Sequence, residues 1–131
     1  MDVRQQLSIL LVEDDKSSSD ILHSMLSMRF PAARIFSAGD GNEGLDCIRS
    51  HEPDIVITDI NMPEMDGFGI LAGIPAIKPD IRVIVVTAHS DRQNLERITS
   101  TGVDVEIVHK PLDFKELFAA ITRCIASLPV E

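Results

Sequence analysis

Residues 8–15 read SILLVEDD, a strand-length run of aliphatic residues that stops abruptly in three carboxylates. The run is continuously apolar rather than alternating, the pattern of a strand buried on both faces, as in a parallel sheet covered by helices. The same pattern recurs at Ile55–Asp59 (IVITD) and Val83–Thr87 (VIVVT), and Arg34–Ala38 and Val105–His109 also read as short strands. Five strands are therefore expected, in a parallel sheet.

Helical periodicity fills the intervals. Ile21, Leu22, Met25, Leu26 and the aliphatic stem of Arg29 mark one core-facing stripe, and Leu45 with Ile48 a second. Phe114, Leu117, Phe118, Ile121, Ile125 and Leu128 form the cleanest stripe, at spacings of three and four. The stretch from Arg92 to Ser100 offers only Leu95 and Ile98, a thin apolar face that predicts a weakly anchored helix. Pro31, Pro53, Pro79 and Gly102 punctuate the pattern. The third interval carries Gly69, Gly73 and Pro75. Proline inside a helix costs about 3 kcal/mol, so that helix is expected to kink or end near Ile74. Alternating strands and helices with right-handed crossovers give a (βα)5 α/β fold, an open doubly wound sheet with helices on both faces.

A length of 131 residues suits one domain over 1–131. The net charge of -9, from 21 acidic and 12 basic residues, argues against a surface that holds nucleic acid or anionic lipid by counterion release. Cys47 and Cys124 have neither CxxC spacing nor a histidine cluster and read as buried free thiols of a reducing compartment. The polar start MDVRQQ lacks the features of a signal peptide. No run approaches the roughly 20 apolar residues that span a bilayer. A cytoplasmic protein is expected.

In an open α/β sheet, ligands bind beyond the carboxyl ends of the strands. Those ends are polar: the first strand runs into Glu13, Asp14 and Asp15, the third into Asp59 and Asn61, the fourth into Thr87, the fifth into Lys110. Carboxylates brought together repel one another and call for a cation, and an oxygen-only donor set suits a hard ion such as Mg²⁺. A hydroxyl and an amine supply the donors and positive charge that a transferring phosphoryl group needs, with a carboxylate near the metal as nucleophile. Taken singly, these residues have plainer readings. Asp14 and Asp15 suit a helix cap, Asp59 a turn before Pro63, Thr87 a strand-end β-former and Lys110 a surface charge. Their joint placement at successive strand ends singles them out.

Over essentially its whole length, from ILLVEDD through VITDINMPEMDG and VIVVTA to HKPLD, the chain resembles the receiver domains of bacterial response regulators. The resemblance implies a flavodoxin-like strand order 2-1-3-4-5. Glu13 and Asp14 match the acidic pair that helps to bind Mg²⁺, and Asp59 matches the phosphoacceptor. Asn61 matches the position that gives a backbone carbonyl to the metal, Thr87 the hydroxyl that reads the phosphorylated state, and Lys110 the amine that pairs with the phosphoryl group. A cis Lys110–Pro111 peptide is also implied.

In the family a histidine kinase or phosphotransfer protein donates to the aspartate, and the switch acts on the surface around the fourth helix, fifth strand and fifth helix. The resemblance thus implies a signalling switch rather than an enzyme, with an output domain or a homodimer downstream. Asn61 and His89 match positions that tune phosphoryl lifetime, although His89 reads equally as a loop histidine. Ile107 departs from the pattern: the family commonly carries Tyr or Phe there, and this chain has no tyrosine at all.

Two other functions compete. A haloacid-dehalogenase-like phosphohydrolase shares the chemistry, but has its late acids after the lysine and a second Asp where this chain has Asn61. A receiver-like interaction module without phosphorylation has no need of the acidic pair, Asp59, Thr87 and Lys110 together. The end of the chain after the last helix fits either a stand-alone receiver or the N-terminal part of a larger regulator.

Overall fold

The computed structural model describes residues 7–59, 67–88 and 105–128, together with Glu96. Asn61, His89 and the helix expected over 92–100, with Leu95 and Ile98, lie outside the described residues. The elements are β1 (Ser8–Val12), α1 (Lys16–Arg29), β2 (Arg34–Ala38), α2 (Gly41–His51), β3 (Ile55–Asp59), α3 (Gly67–Ile77), β4 (Arg82–Ala88), β5 (Val105–Lys110) and α4 (Phe114–Ser127). All five strands are parallel, in the order β2-β1-β3-β4-β5. The first three strands begin and end where the hydrophobic runs do. β4 gains one residue at each end and β5 gains Lys110.

Both faces of the sheet are covered, which is why its central strands are continuously apolar. Leu10, Val12, Val56, Val83 and Val85 pack with Leu45, Ile48, Ile70, Leu71 and Ile74 beneath α2 and α3. Ile9, Leu11, Ile55, Ile57, Ile84 and Val108 pack with Leu22, Leu26, Leu117, Ile121 and Cys124 beneath α1 and α4. Each fully buried Leu or Ile contributes roughly 1.5–3 kcal/mol, so the sheet is a stiff platform for whatever its ends carry.

Helix starts follow local chemistry. Asp40 caps α2 by accepting from the Glu43 amide at 2.8 Å, and Asp113 caps α4 by accepting from the Lys115 amide at 2.9 Å. α2 closes at Glu52, whose left-handed φ of 45° ends the helix.

Three sequence expectations are corrected. α3, expected to kink or end near Ile74, does not end there but runs on to Ile77, with Pro75 inside it. Pro75 falls in the last turn, the Lys78 amide still reaches the Ile74 carbonyl at 2.9 Å, and burial of Ile70, Leu71 and Ile74 outweighs the missing donor. The glycines of α3 also have a packing role: a Cβ on Gly73 would stand 2.8 Å from Leu45 Cδ2, so its absence lets α3 close on α2. Ile21 is not core-facing but 57% exposed, and Arg29 is exposed too. At 100° per residue the buried positions of α1 are Ser19, Leu22 and Leu26, which leaves Ile21 on the shoulder of the helix. Finally, Cys124 is buried, but Cys47 only half so.

Candidate functional site

Strand register assembles the rim. Val12 lies opposite Thr58 and Asp59 opposite Val86, so Glu13, Asp59 and the end of β4 stand at one level. Thr87 and Ala88 lie opposite His109 and Lys110. The structure thus brings Glu13, Asp59 and Lys110 to the lining of one cavity of about 380 Å³. The rest of that lining is largely apolar, with Ile57, Val86, Leu112, Phe114 and Leu117 among its residues.

The central contact is an ion pair. Lys110 Nζ donates to Asp59 Oδ2 at 2.6 Å, with Asp59 nearly buried at 8% exposure. Glu13 continues the β1 ladder through its amide, which donates to the Ala38 carbonyl at 3.0 Å. Its Oε2 accepts from the Asp14 amide at 3.1 Å. Asp14 is exposed beside it. Of the two acids that suited a cap, Asp15 stands at the N-cap position of α1, but its side chain makes no cap bond to the helix backbone and instead accepts from Ser18 Oγ at 2.7 Å. That hydroxyl holds the Asp15 carboxyl below its ordinary value.

Electrostatics at the rim are unbalanced. Burial pushes the Glu13 carboxyl up, and repulsion from Asp59 and Asp14 adds to it, while Lys110 and the Asp14 amide pull the other way. For Lys110, burial is the largest influence and acts downward. The hydrogen bond and charge of Asp59, with the charges of Glu13 and Asp14, outweigh it and raise the amine. Three carboxylates therefore share one amine, a surplus of negative charge on oxygen donors that fits a hard divalent cation. Among the described residues no three acidic, His or Cys side chains form a ready-made metal cage. Magnesium does not require one, because it keeps several waters and takes only one or two carboxylates besides phosphate oxygens.

Thr87 is fully buried, and its Oγ1 has no hydrogen-bond partner among the described residues. Among the described residues this hydroxyl is a donor without an acceptor, one residue beyond the Val86 that lies opposite Asp59. Ile107 is half-buried on β5, opposite Val85, where no aromatic ring is available. The Lys110–Pro111 peptide is cis, as the resemblance implied. The cavity wall from Ser18, Ile21, Leu112 and Phe114 was not foreseen as part of the site. Phe114 belongs to a recognisable helical stripe, but periodicity gives a face and not the cavity it meets.

The comparisons with known proteins agree with this geometry. The chain belongs to the response regulator receiver domain family, whose pattern it matches over residues 9–122. It is 34% identical to the transcriptional regulatory protein ZraR of Escherichia coli K12 over 120 residues, 92% of this chain but 26% of that protein. It therefore spans about a quarter of that regulator, and 53% of the Bacillus subtilis protein named probable C4-dicarboxylate response regulator DctR. The protein named probable chemotaxis protein CheY of Rhizobium etli is matched almost end to end, 30% identical over 98% of this chain and 99% of that one. Among solved structures, the signal receiver domain of a DNA-binding response regulator from Colwellia psychrerythraea superposes with a TM-score of 0.81 at 33% identity, covering 92% and 99% of the two chains.

The protein is a receiver domain of two-component signal transduction. Receiver domains act as signalling switches, bind Mg²⁺ at the phosphorylation site, and work with histidine kinases or phosphotransfer proteins and with output domains. Among the described residues no helix is long and apolar enough to cross a membrane.

Proposed function

We propose that this chain is a phosphorylation switch whose acceptor is Asp59, supplied by a histidine kinase or histidine phosphotransfer protein and acting as one receiver module over 1–131. The observation that carries the reading is the 2.6 Å pair between Lys110 Nζ and the nearly buried Asp59 carboxylate, at a rim shared with Glu13. In the reaction an Asp59 oxygen attacks phosphorus, the phosphorus–nitrogen bond of the donor breaks, and the electron pair stays on the imidazole, which takes up a proton. Lys110 pairs with the phosphoryl oxygens as negative charge passes from the carboxylate to them. Thr87, whose hydroxyl has no partner among the described residues, supplies it to the same group, an interaction made only after transfer and therefore one that distinguishes the two states.

Glu13, Asp14, Asp59 and the backbone carbonyl of Asn61 are the groups that would hold Mg²⁺, which when bound offsets the charge of the phosphoryl oxygens. Water later attacks phosphorus, the acyl phosphate P–O bond breaks and the carboxylate returns, with Asn61 and His89 as the positions that set the rate. The output surface comprises the 92–100 stretch, β5 and α4, through an attached output domain or a second copy. Ile107 replaces the usual aromatic there, so the change is carried by Thr87 and its backbone rather than by a ring rotation. The compartment is the cytoplasm, and neither nucleic acid nor membrane is contacted directly. The chain assists its own phosphorylation and dephosphorylation and does not turn over an external substrate as an enzyme would.

Incubation with Mg²⁺ and acetyl phosphate tests this. One labile phosphoryl group per chain is expected, lost in Asp59→Asn and prevented by chelation. Undiminished labelling of Asp59→Asn, or no label on the wild-type chain, would contradict it.

A further inference from the structure

One polar side chain of β3 faces the core beneath α2 and α3. Thr58 is fully buried and lies in register with Val12 on one side and Val85 on the other, both part of the aliphatic cluster on that face. A hydroxyl in such a place must find a partner, since burying it unpaired forfeits the hydrogen bonds it had with water. Valine would fill nearly the same volume without that demand. The partner Thr58 has is the acceptor residue itself: its Oγ1 donates to the Asp59 carbonyl at 3.1 Å. Asp59 is the last residue of β3, so that carbonyl belongs to the peptide plane with which the chain leaves the sheet. The ladder holds the amino side of Asp59 and the Thr58 hydroxyl holds its carbonyl side. These two contacts flank the Asp59 Cα, from which the carboxylate projects toward Lys110.

We infer that Thr58 is a positioning residue for phosphoryl transfer, holding the Asp59 carboxylate on the line of attack through the hydrogen bond to the Asp59 carbonyl. The inference rests on the reading of Asp59 as acceptor. Its mechanism is geometric: small misplacements of a nucleophile lose large factors in rate while leaving the binding of the donor unchanged.

The test uses the full chain as wild type, Thr58→Val and Thr58→Ser, labelled across a series of acetyl phosphate concentrations with Mg²⁺. For Thr58→Val the maximal labelling rate falls about tenfold with the half-saturating concentration unchanged, while the urea midpoint is equal to or above that of wild type. Thr58→Ser, which keeps the donor, returns to within about twofold. The ¹³C resonance of the Asp59 carbonyl shifts in Thr58→Val and returns in Thr58→Ser. If Thr58→Val does not fold, Thr58→Cys against Thr58→Ser repeats the comparison with a weak and a strong donor of similar size. Labelling of Thr58→Val at the wild-type rate overturns the inference and leaves the acceptor reading intact. Equal slowing of Thr58→Ser and Thr58→Val also overturns it, since a variant that keeps the hydroxyl would then be no better than one that lacks it. Wild-type protein that takes no label at Asp59 sinks the acceptor reading instead.

Discussion

The two ends of the sheet treat their charged groups in opposite ways. At the amino end, Asp54 just before β3 accepts from the Ser8 amide at 3.0 Å and from Ser8 Oγ at 3.4 Å, while its own amide donates to the Ser8 carbonyl at 2.9 Å. Its carbonyl accepts from the Arg82 amide at 3.0 Å, and Lys78 Nζ stands 3.9 Å from its carboxylate. One residue thereby ties the starts of β1, β3 and β4 together with nearly every polar group satisfied. At the carboxyl end, Glu13, Asp14 and Asp59 crowd around a single amine and the Thr87 hydroxyl has no partner among the described residues. The satisfied end contributes stability. The unsatisfied end holds groups in readiness for a ligand that completes them, a pattern expected of functional sites.

Substitutions at the two ends should therefore have opposite signatures. Lys110→Ala should give the largest effect, lowering the rate of labelling by acetyl phosphate about a hundredfold through loss of charge stabilisation at the phosphoryl oxygens. The same change should move the urea midpoint far less than the rate, because the amine is 44% exposed and water takes its place beside the nearly buried Asp59 carboxylate. Asp54→Ala should do the reverse, losing about 1–3 kcal/mol in urea denaturation followed by circular dichroism, with the labelling rate unchanged. A fall in labelling for Asp54→Ala matching that for Lys110→Ala would erase the distinction between the ends.

Glu13→Gln gives the smallest effect and the sharpest one. The raised Glu13 carboxyl binds its proton more tightly in the folded than in the unfolded chain. Its stabilising contribution is therefore full below the ordinary value of 4.5 and is lost as pH rises through the raised folded value. At neutral pH, without metal, ionised Glu13 opposes folding. Glu13→Gln should accordingly raise metal-free stability near neutral pH by some tenths of a kcal/mol, screened by solvent, and flatten the pH dependence just above 4.5. Denaturation in EDTA across that range checks both the sign and the window.

The frame of the fold was legible because burial on both faces writes itself into the chain as unbroken aliphatic runs. β1, β2 and β3 could be bounded to the residue. Where pattern misled, tertiary packing was the reason. Pro75 signalled an early end to α3, but its place in the last turn and the burial of Ile74 carry the helix past it. Ile21 looked like core because hydrophobicity alone does not say which shoulder of a narrow stripe meets the sheet. At the site, Glu13, Asp14, Asp59, Thr87 and Lys110 were visible as the polar residues ending apolar strands. Thr58 was not, because a threonine inside a strand reads as a β-former until its hydroxyl is seen to reach the Asp59 carbonyl. The cavity wall from Ser18 to Phe114 was hidden for a related reason, since α1 and α4 meet only in three dimensions.

The acceptor itself is the most direct point of test. After reaction with Mg²⁺ and acetyl phosphate, borohydride reduces an acyl phosphate to the alcohol and leaves free carboxylates untouched, so mass mapping of peptides reports which residue carried it. Reduction at Asp59, in one position per chain, is the predicted result. Reduction at Asp14 or Glu13 with Asp59 unchanged would contradict the account.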